Sequence, residues 1–235
     1  MPQPAKGKPR HSAFTNLIFN ILVPTLILTK FSDEGSLGPQ LSIVIALAFP
    51  LSFGTWDFIQ TRRANVFSIL GFVSTLLTGG ISLLELDPQY IAIKEASIPG
   101  LIGLATLISL YTPYPLIKTL LFNDEVVDTE RVNQALDEHD AHANFEVALR
   151  RATYLLAFSF FLSATLNYIL AKVLLVSPPG TPEYSAELGK MTGLSFPVIA
   201  LPCTVVMMAA LFYLMRRVRQ LTALELEQIF RLHQE

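Results

Sequence analysis

VFSILGFVSTLLTGGISLL (66–84), ELDPQYIAIKEA (85–96), SIPGLIGLATLISLY (97–111) and TPYPLIKTLL (112–121) follow one another without a break. Two apolar runs flank a short elbow that carries Glu85, Asp87, Lys94 and Glu95. A helix needs about 20 mostly apolar residues to cross the hydrocarbon of a bilayer, and both runs are long enough. The stretch therefore reads as a membrane hairpin, and the rest of the chain repeats its pattern.

Working outward, six stretches have spanning length and apolarity: Phe14–Phe31, Gln40–Ile59, Asn65–Leu84, Ile91–Tyr111, Ala152–Val176 and Met191–Met215. The expected fold is all-α, a polytopic bundle of six transmembrane helices arranged as three hairpins. Composition agrees: of 235 residues, 51% are hydrophobic and 15% charged, against roughly 25% charged in a soluble domain. Mean hydropathy is +0.47. A net charge of −2 gives no electrostatic basis for binding nucleic acid. The single cysteine, Cys203, excludes an internal disulfide.

Charge placement orients the bundle. If both termini share a side, every arginine falls on that side, together with Lys6, Lys8 and Lys118; the four cations opposite are Lys30, Lys94, Lys172 and Lys190. By the positive-inside rule the termini are cytoplasmic. The basic, Pro-rich residues 1–13 then form a cytoplasmic tail, residues 14–219 the membrane domain and residues 220–235 a cytoplasmic end. FSDEGSLG, ELDPQ and SPPGTPEYSAELG form the outer loops, marked by their turn residues.

The one long insert, residues 112–151, faces the cytoplasm. Thr129 is placed to cap a helix beginning at Glu130. Val132, Leu136, His139, Ala143 and Val147 then recur at helical spacing, predicting a short amphipathic helix between spans four and five. Its polar face is acidic, which disfavours anionic lipid and suits packing on the bundle or a partner protein at 124–147. A weak internal repeat at an offset of 147 relates Asn20 to Asn167, and Leu47–Pro50 to Leu194–Pro197.

Pro24, Pro50, Pro99, Pro197 and Pro202 fall inside spans. Each removes a backbone donor and frees a carbonyl, giving a kink, a cavity lining or an ordinary membrane-helix proline. Asn20 and Asn167 lie in apolar runs, where an unpaired amide is costly, so each faces protein or water. Gly71, Gly79 and Gly80 suit close helix packing. Asp57 is expected to pair locally with Arg62 or Arg63.

The outer lysines allow two readings. Lys94 with Glu85 and Asp87 forms an ion-pair network. Alternatively Asn20, Lys94, Glu95, Asn167 and Lys190 line a ligand site between the hairpins in the outer half of the membrane, where lysines at inward-directed helix N-termini would attract an anion. No catalytic residue, metal site or cofactor is assigned: phosphate-loop, dinucleotide and nucleophile-elbow motifs are absent, and His139 and His142 lie among solvated carboxylates. The partners expected are membrane lipids and a protein at the insert, with self-association left open.

Phe72-Val73, Thr78-Gly79-Gly80, Asp87, Ile91, Lys94 and Tyr114–Ile117 resemble the central hairpin of the intracellular septation protein A-like family of inner-membrane proteins. The pattern continues at Leu166–Ile169, Lys190 and Gly193-Leu194. Residues 23–32, 67–87 and 177–184 are more similar to an uncharacterised bacterial branch related to that family, sometimes described as transporters. The acidic insert is longer than in the septation proteins. The resemblance implies six inner-membrane helices and a non-enzymatic part in envelope maintenance or cell division. It implies no catalytic residues. The transporter or lipid-handling reading stands as the alternative.

Overall fold

A computed structural model describes residues 17–61, 66–112, 116–117 and 127–229, without the side chains of Asp57, Gln60, Thr61, 66–68 and Leu226. The basic tail, the Arg62-Arg63 loop with its Asp57 pair, residues 118–126 of the insert and the last six residues lie outside this range.

The described residues form helices joined by loops. They are α1 (Ile18–Lys30), α2 (Pro39–Thr61), α3 (Val66–Leu83), α4 (Gln89–Ser109), α5 (Thr129–Glu138), α6 (His142–Leu174), α7 (Pro182–Thr222) and α8 (Leu226–Ile229). Four of them are long and apolar enough to cross a membrane: α2, α4, α6 and α7. α1 and the Ile69–Leu83 part of α3 are apolar but shorter. At about 1.5 Å per residue the described part of α1 reaches two thirds of the way across about 30 Å of hydrocarbon. Large apolar side chains face outward along these helices, among them Leu101, Val173, Val205 and Phe212. Such surfaces fit lipid as solvent, and the chain has the apolar helices of a multi-pass membrane protein.

Two helices begin earlier than their hydropathy suggests. α6 starts at His142 rather than Ala152, and α7 at Pro182 rather than Met191. Both early turns are polar, yet each is buried along one face, through Phe145 and Leu149 in α6 and through Tyr184 and Leu188 in α7. Prolines are accommodated in two ways. α1 opens with a widened π-turn, Ile18–Leu22, in which Val23 N–H bonds Ile18 O; Pro24 follows at once. α7 widens at Phe196–Ala200, around Pro197 and just before Pro202. A π-turn shifts the carbonyl ladder by one residue and so absorbs a missing donor. Pro50 and Pro99 lie inside regular helix. The residues paired by the 147-residue offset thus occupy different local geometries.

Contacts divide the chain into two compact units, Met1–Lys94 with Ile169–Phe196, and Glu95–Tyr168 with Pro197–Glu235. In the first, α1 packs against the Pro182–Ser195 part of α7 and against α2, and α2 packs against α3. The α1–α7 contact is made by glycines. A Cβ on Gly189 would lie 2.7 Å from Leu28 Cβ and 3.2 Å from Thr25 O, and one on Gly193 would lie 3.1 Å from Thr25 Cγ2. Four residues apart, they form a small-residue stripe that lets two backbones approach. Gly79 plays the same part against Leu47, whereas Gly71 and Gly80 face open space.

The second unit holds the insert. Asp128, not Thr129, caps α5: its carboxylate accepts from Arg131 N–H at 3.1 Å. The expected stripe does not run on to Val147. α5 ends at Glu138, Asp140 takes a left-handed conformation (φ 47°), and the chain restarts as α6. That break rotates the buried face, so Ala143 and Val147 are exposed while Ala141, Phe145 and Leu149 are buried. Val132 and Leu136 of α5 pack with these residues and with Leu214 and Val218 of α7 into one apolar core. Asp128 N–H bonds Ile229 O at 2.8 Å, and Ile229 is fully buried in that core. In the same unit Gly103 of α4 sits against Phe160 and Phe161 of α6, and Ser159 Oγ donates to Cys203 O at 2.9 Å.

Candidate functional site

Lys94 lies in the second turn of α4 and is only 9% exposed. Its Nζ donates to Thr78 Oγ1 at 2.6 Å, to Ser74 Oγ at 3.1 Å and to Ser74 O at 3.3 Å. Ser74 and Thr78 are four apart on α3, hence on one face. Thr78 Oγ1 itself donates to Ser74 O at 3.1 Å. An ammonium has three donors and no acceptor, and these oxygens receive it in an otherwise apolar helix pair. A charge held this way is costly to desolvate, and ionisable side chains inside apolar spans mark functional positions by default. The cluster can hold a positive charge against α3 and orient an anion or a dipole.

The elbow carboxylates have their own contacts. Glu85, in a left-handed conformation at the end of α3 (φ 54°), accepts from Gln40 Nε2 at 3.2 Å. Gly180 passes over it with φ 82°, a conformation that favours glycine, and a Cβ there would lie 2.6 Å from the Glu85 carboxylate and displace it. Asp87 accepts from Gln89 N–H at 2.7 Å and so caps α4.

Of the five residues placed at a ligand site, Asn20, Lys94 and Lys190 belong to the first unit, and Glu95 and Asn167 to the second. Asn20 is half-buried in the π-turn and Lys190 is exposed. Asn167 Nδ2 donates to Ser163 O at 2.8 Å and Ser163 Oγ at 3.3 Å, so its amide nitrogen bonds within α6. Among the described residues no group of three His, Cys, Asp or Glu could hold a metal ion. His139 Nδ1 contacts Ala135 O, and His142 Nε2 contacts Asp137 at 2.8 Å.

Sequence reasoning missed a polar clamp that joins all three loops on the elbow side of the first unit. Tyr184 is fully buried with its hydroxyl 3.4 Å from Ser82 Oγ. Ser32 Oγ donates to Pro182 O, and Ser185 Oγ to Pro39 O. Glu187 accepts from Val176 N–H, Ser177 N–H and Ser177 Oγ, fixing the turn before α7. The signal was available at Thr181-Pro182-Glu183, a helix start with its cap, Pro at N1 and an acidic first turn.

Compared with family models, curated proteins and solved structures, the chain matches none.

Proposed function

We propose that this is a six-span bacterial inner-membrane protein with cytoplasmic termini and a non-enzymatic role in the cell envelope, exercised through a protein partner on its arginine-bearing side. The observation that carries the reading is the insert. A stretch that hydropathy assigns to a polar connection is a folded cap that shares one apolar core with the end of α7. Its outward side carries Glu130, Asp137, Glu138 and Asp140. A cap so anchored presents an acidic surface at little ordering cost, which is what a docking face needs. The arginine bias supports its cytoplasmic placement, and the resemblance to septation proteins motivates the envelope role.

The test replaces Glu130, Asp137 and Glu138 by lysine. All three are exposed, so the core is untouched. Loss of the gene is expected to sensitise cells to detergent and osmotic shock. Wild type restores resistance, and the charge-reversed protein, inserted at the same level, does not. Full complementation by that variant overturns the reading.

The buried Lys94 favours a second reading, a small transporter or lipid-handling protein. There, Lys94→Met with Lys190→Gln abolishes uptake or binding while leaving the protein folded. Unchanged uptake of an identified substrate removes it.

A further inference from the structure

Near its C-terminal end α7 changes character within one turn. VVMMAALFYLM (205–215) is followed by Arg216-Arg217-Val218-Arg219. Met208, Phe212, Arg216 and Arg219 recur at spacings of four, four and three, so they lie along one face of the helix. The chain then turns back at Ala223, which is left-handed (φ 54°) and donates its N–H to Arg219 O at 2.9 Å. That turn brings Leu224 and Glu225 beside the helix, and a groove of about 680 Å³ opens between them. Its apolar end is uncovered: Met208 is 54% and Phe212 70% exposed. Its polar end holds two guanidinium groups and one carboxylate, with Arg219 Nη2 2.8 Å from Glu225 Oε2.

We propose that this groove binds an anionic glycerophospholipid, its phosphodiester held by Arg216 and Arg219 and an acyl chain lying along Met208 and Phe212. The charge sum there is +1, complementary to one phosphodiester. Arg219 spends part of its five-donor fork on Glu225, which orients the remaining donors, and Arg216 lies one helical turn away at the same rim. A guanidinium fork matches two phosphate oxygens at once. The flexible thioether of Met208 adapts to an acyl chain, and the Phe212 ring gives it apolar surface. The order along the helix, apolar then cationic, is that of a lipid from tail to headgroup at a membrane boundary. An apolar peptide would leave the arginines unmatched.

The full chain, in a bilayer of equal parts phosphatidylglycerol and phosphatidylcholine, is extracted gently, and retained lipids are counted by native mass spectrometry. Wild type retains phosphatidylglycerol in preference. Arg216→Gln with Arg219→Gln lowers that preference about five-fold per arginine, and Arg216→Lys with Arg219→Lys restores only part of it, because an ammonium keeps the charge and loses the fork. Glu225→Gln removes the only carboxylate among the groove's lining residues and raises the preference. This surface variant carries the test should the double variant fail to fold. Excess inorganic phosphate does not displace the lipid, because the acyl contacts hold it. Displacement by phosphate, no dependence on the arginines in a folded protein, no gain in Glu225→Gln, or a dimer with unchanged lipid count would each overturn the proposal.

Discussion

Substituting alanine for Gly189 puts a methyl carbon 2.7 Å from Leu28 Cβ, 3.0 Å from Thr29 Cγ2 and 3.2 Å from Thr25 O. Two of these atoms are fixed to the backbone of α1, so rotamer changes cannot relieve the contact. Ordinary contact needs about 4 Å, so α1 and α7 must separate by about 1 Å. Overpacking of this kind costs about 1–3 kcal/mol. Alanine also favours helix over glycine by about 1 kcal/mol, which masks part of the loss. Gly80→Ala supplies the control: it gains the same propensity in α3, and its Cβ meets nothing within 4 Å. The difference between the two variants isolates packing. At about 2–4 °C per kcal/mol for a chain of this size, Gly189→Ala should melt about 2–12 °C below Gly80→Ala in detergent. Fluorescence-detected size exclusion after heating reads that difference. Equal melting of the two variants, or a lower value for Gly80→Ala, would refute the close approach of α1 and α7.

Other expectations follow from single contacts. Asp128→Ala removes the cap of α5 at a cost of about 1 kcal/mol, seen as faster amide exchange confined to residues 129–138; exchange unchanged there would reassign the cap. Leu136→Ala, in a fully buried position of the cap core, should cost about 2–5 kcal/mol, and limited proteolysis should then cut in the cap before the spans. Thr78→Val withdraws the shortest acceptor from Lys94 and should destabilise by about 1–3 kcal/mol. Adding Lys94→Met should recover most of that loss in thermal melting, since no ammonium then remains to be satisfied; a further drop would contradict the hydroxyl cage.

Four of the six apolar stretches stand as helices of spanning length, legible because lipid imposes length and composition directly. The run read as Gln40–Ile59 is α2 at Pro39–Thr61, and Ile91–Tyr111 is α4 at Gln89–Ser109. The start of α6 was not legible, since its first turn is polar and only tertiary burial of Phe145 and Leu149 reveals the face it presents; α7 carried its start in Thr181-Pro182-Glu183, which the hydropathy of the run beginning at Met191 hid. The stripe from Val132 to Val147 misled for a related reason: periodicity cannot register a left-handed residue such as Asp140 that breaks one helix into two. Lys94 stood out as a charge in an apolar chain, but its partners Ser74 and Thr78 read as unremarkable α3 residues until the two helices met. Gly189 and Gly193 show the GxxxG spacing in the sequence; what Thr25 and Leu28 add is a partner distant in the chain, which no local pattern carries.

Membrane topology tests the central claim most directly. In a Cys203→Ala background, single cysteines replace Ser36, Pro179 and Asp137, and intact cells are treated with a membrane-impermeant thiol reagent before and after permeabilisation. The account predicts labelling at 36 and 179 in intact cells and at 137 only after permeabilisation. Labelling of all three positions from the same side would contradict it.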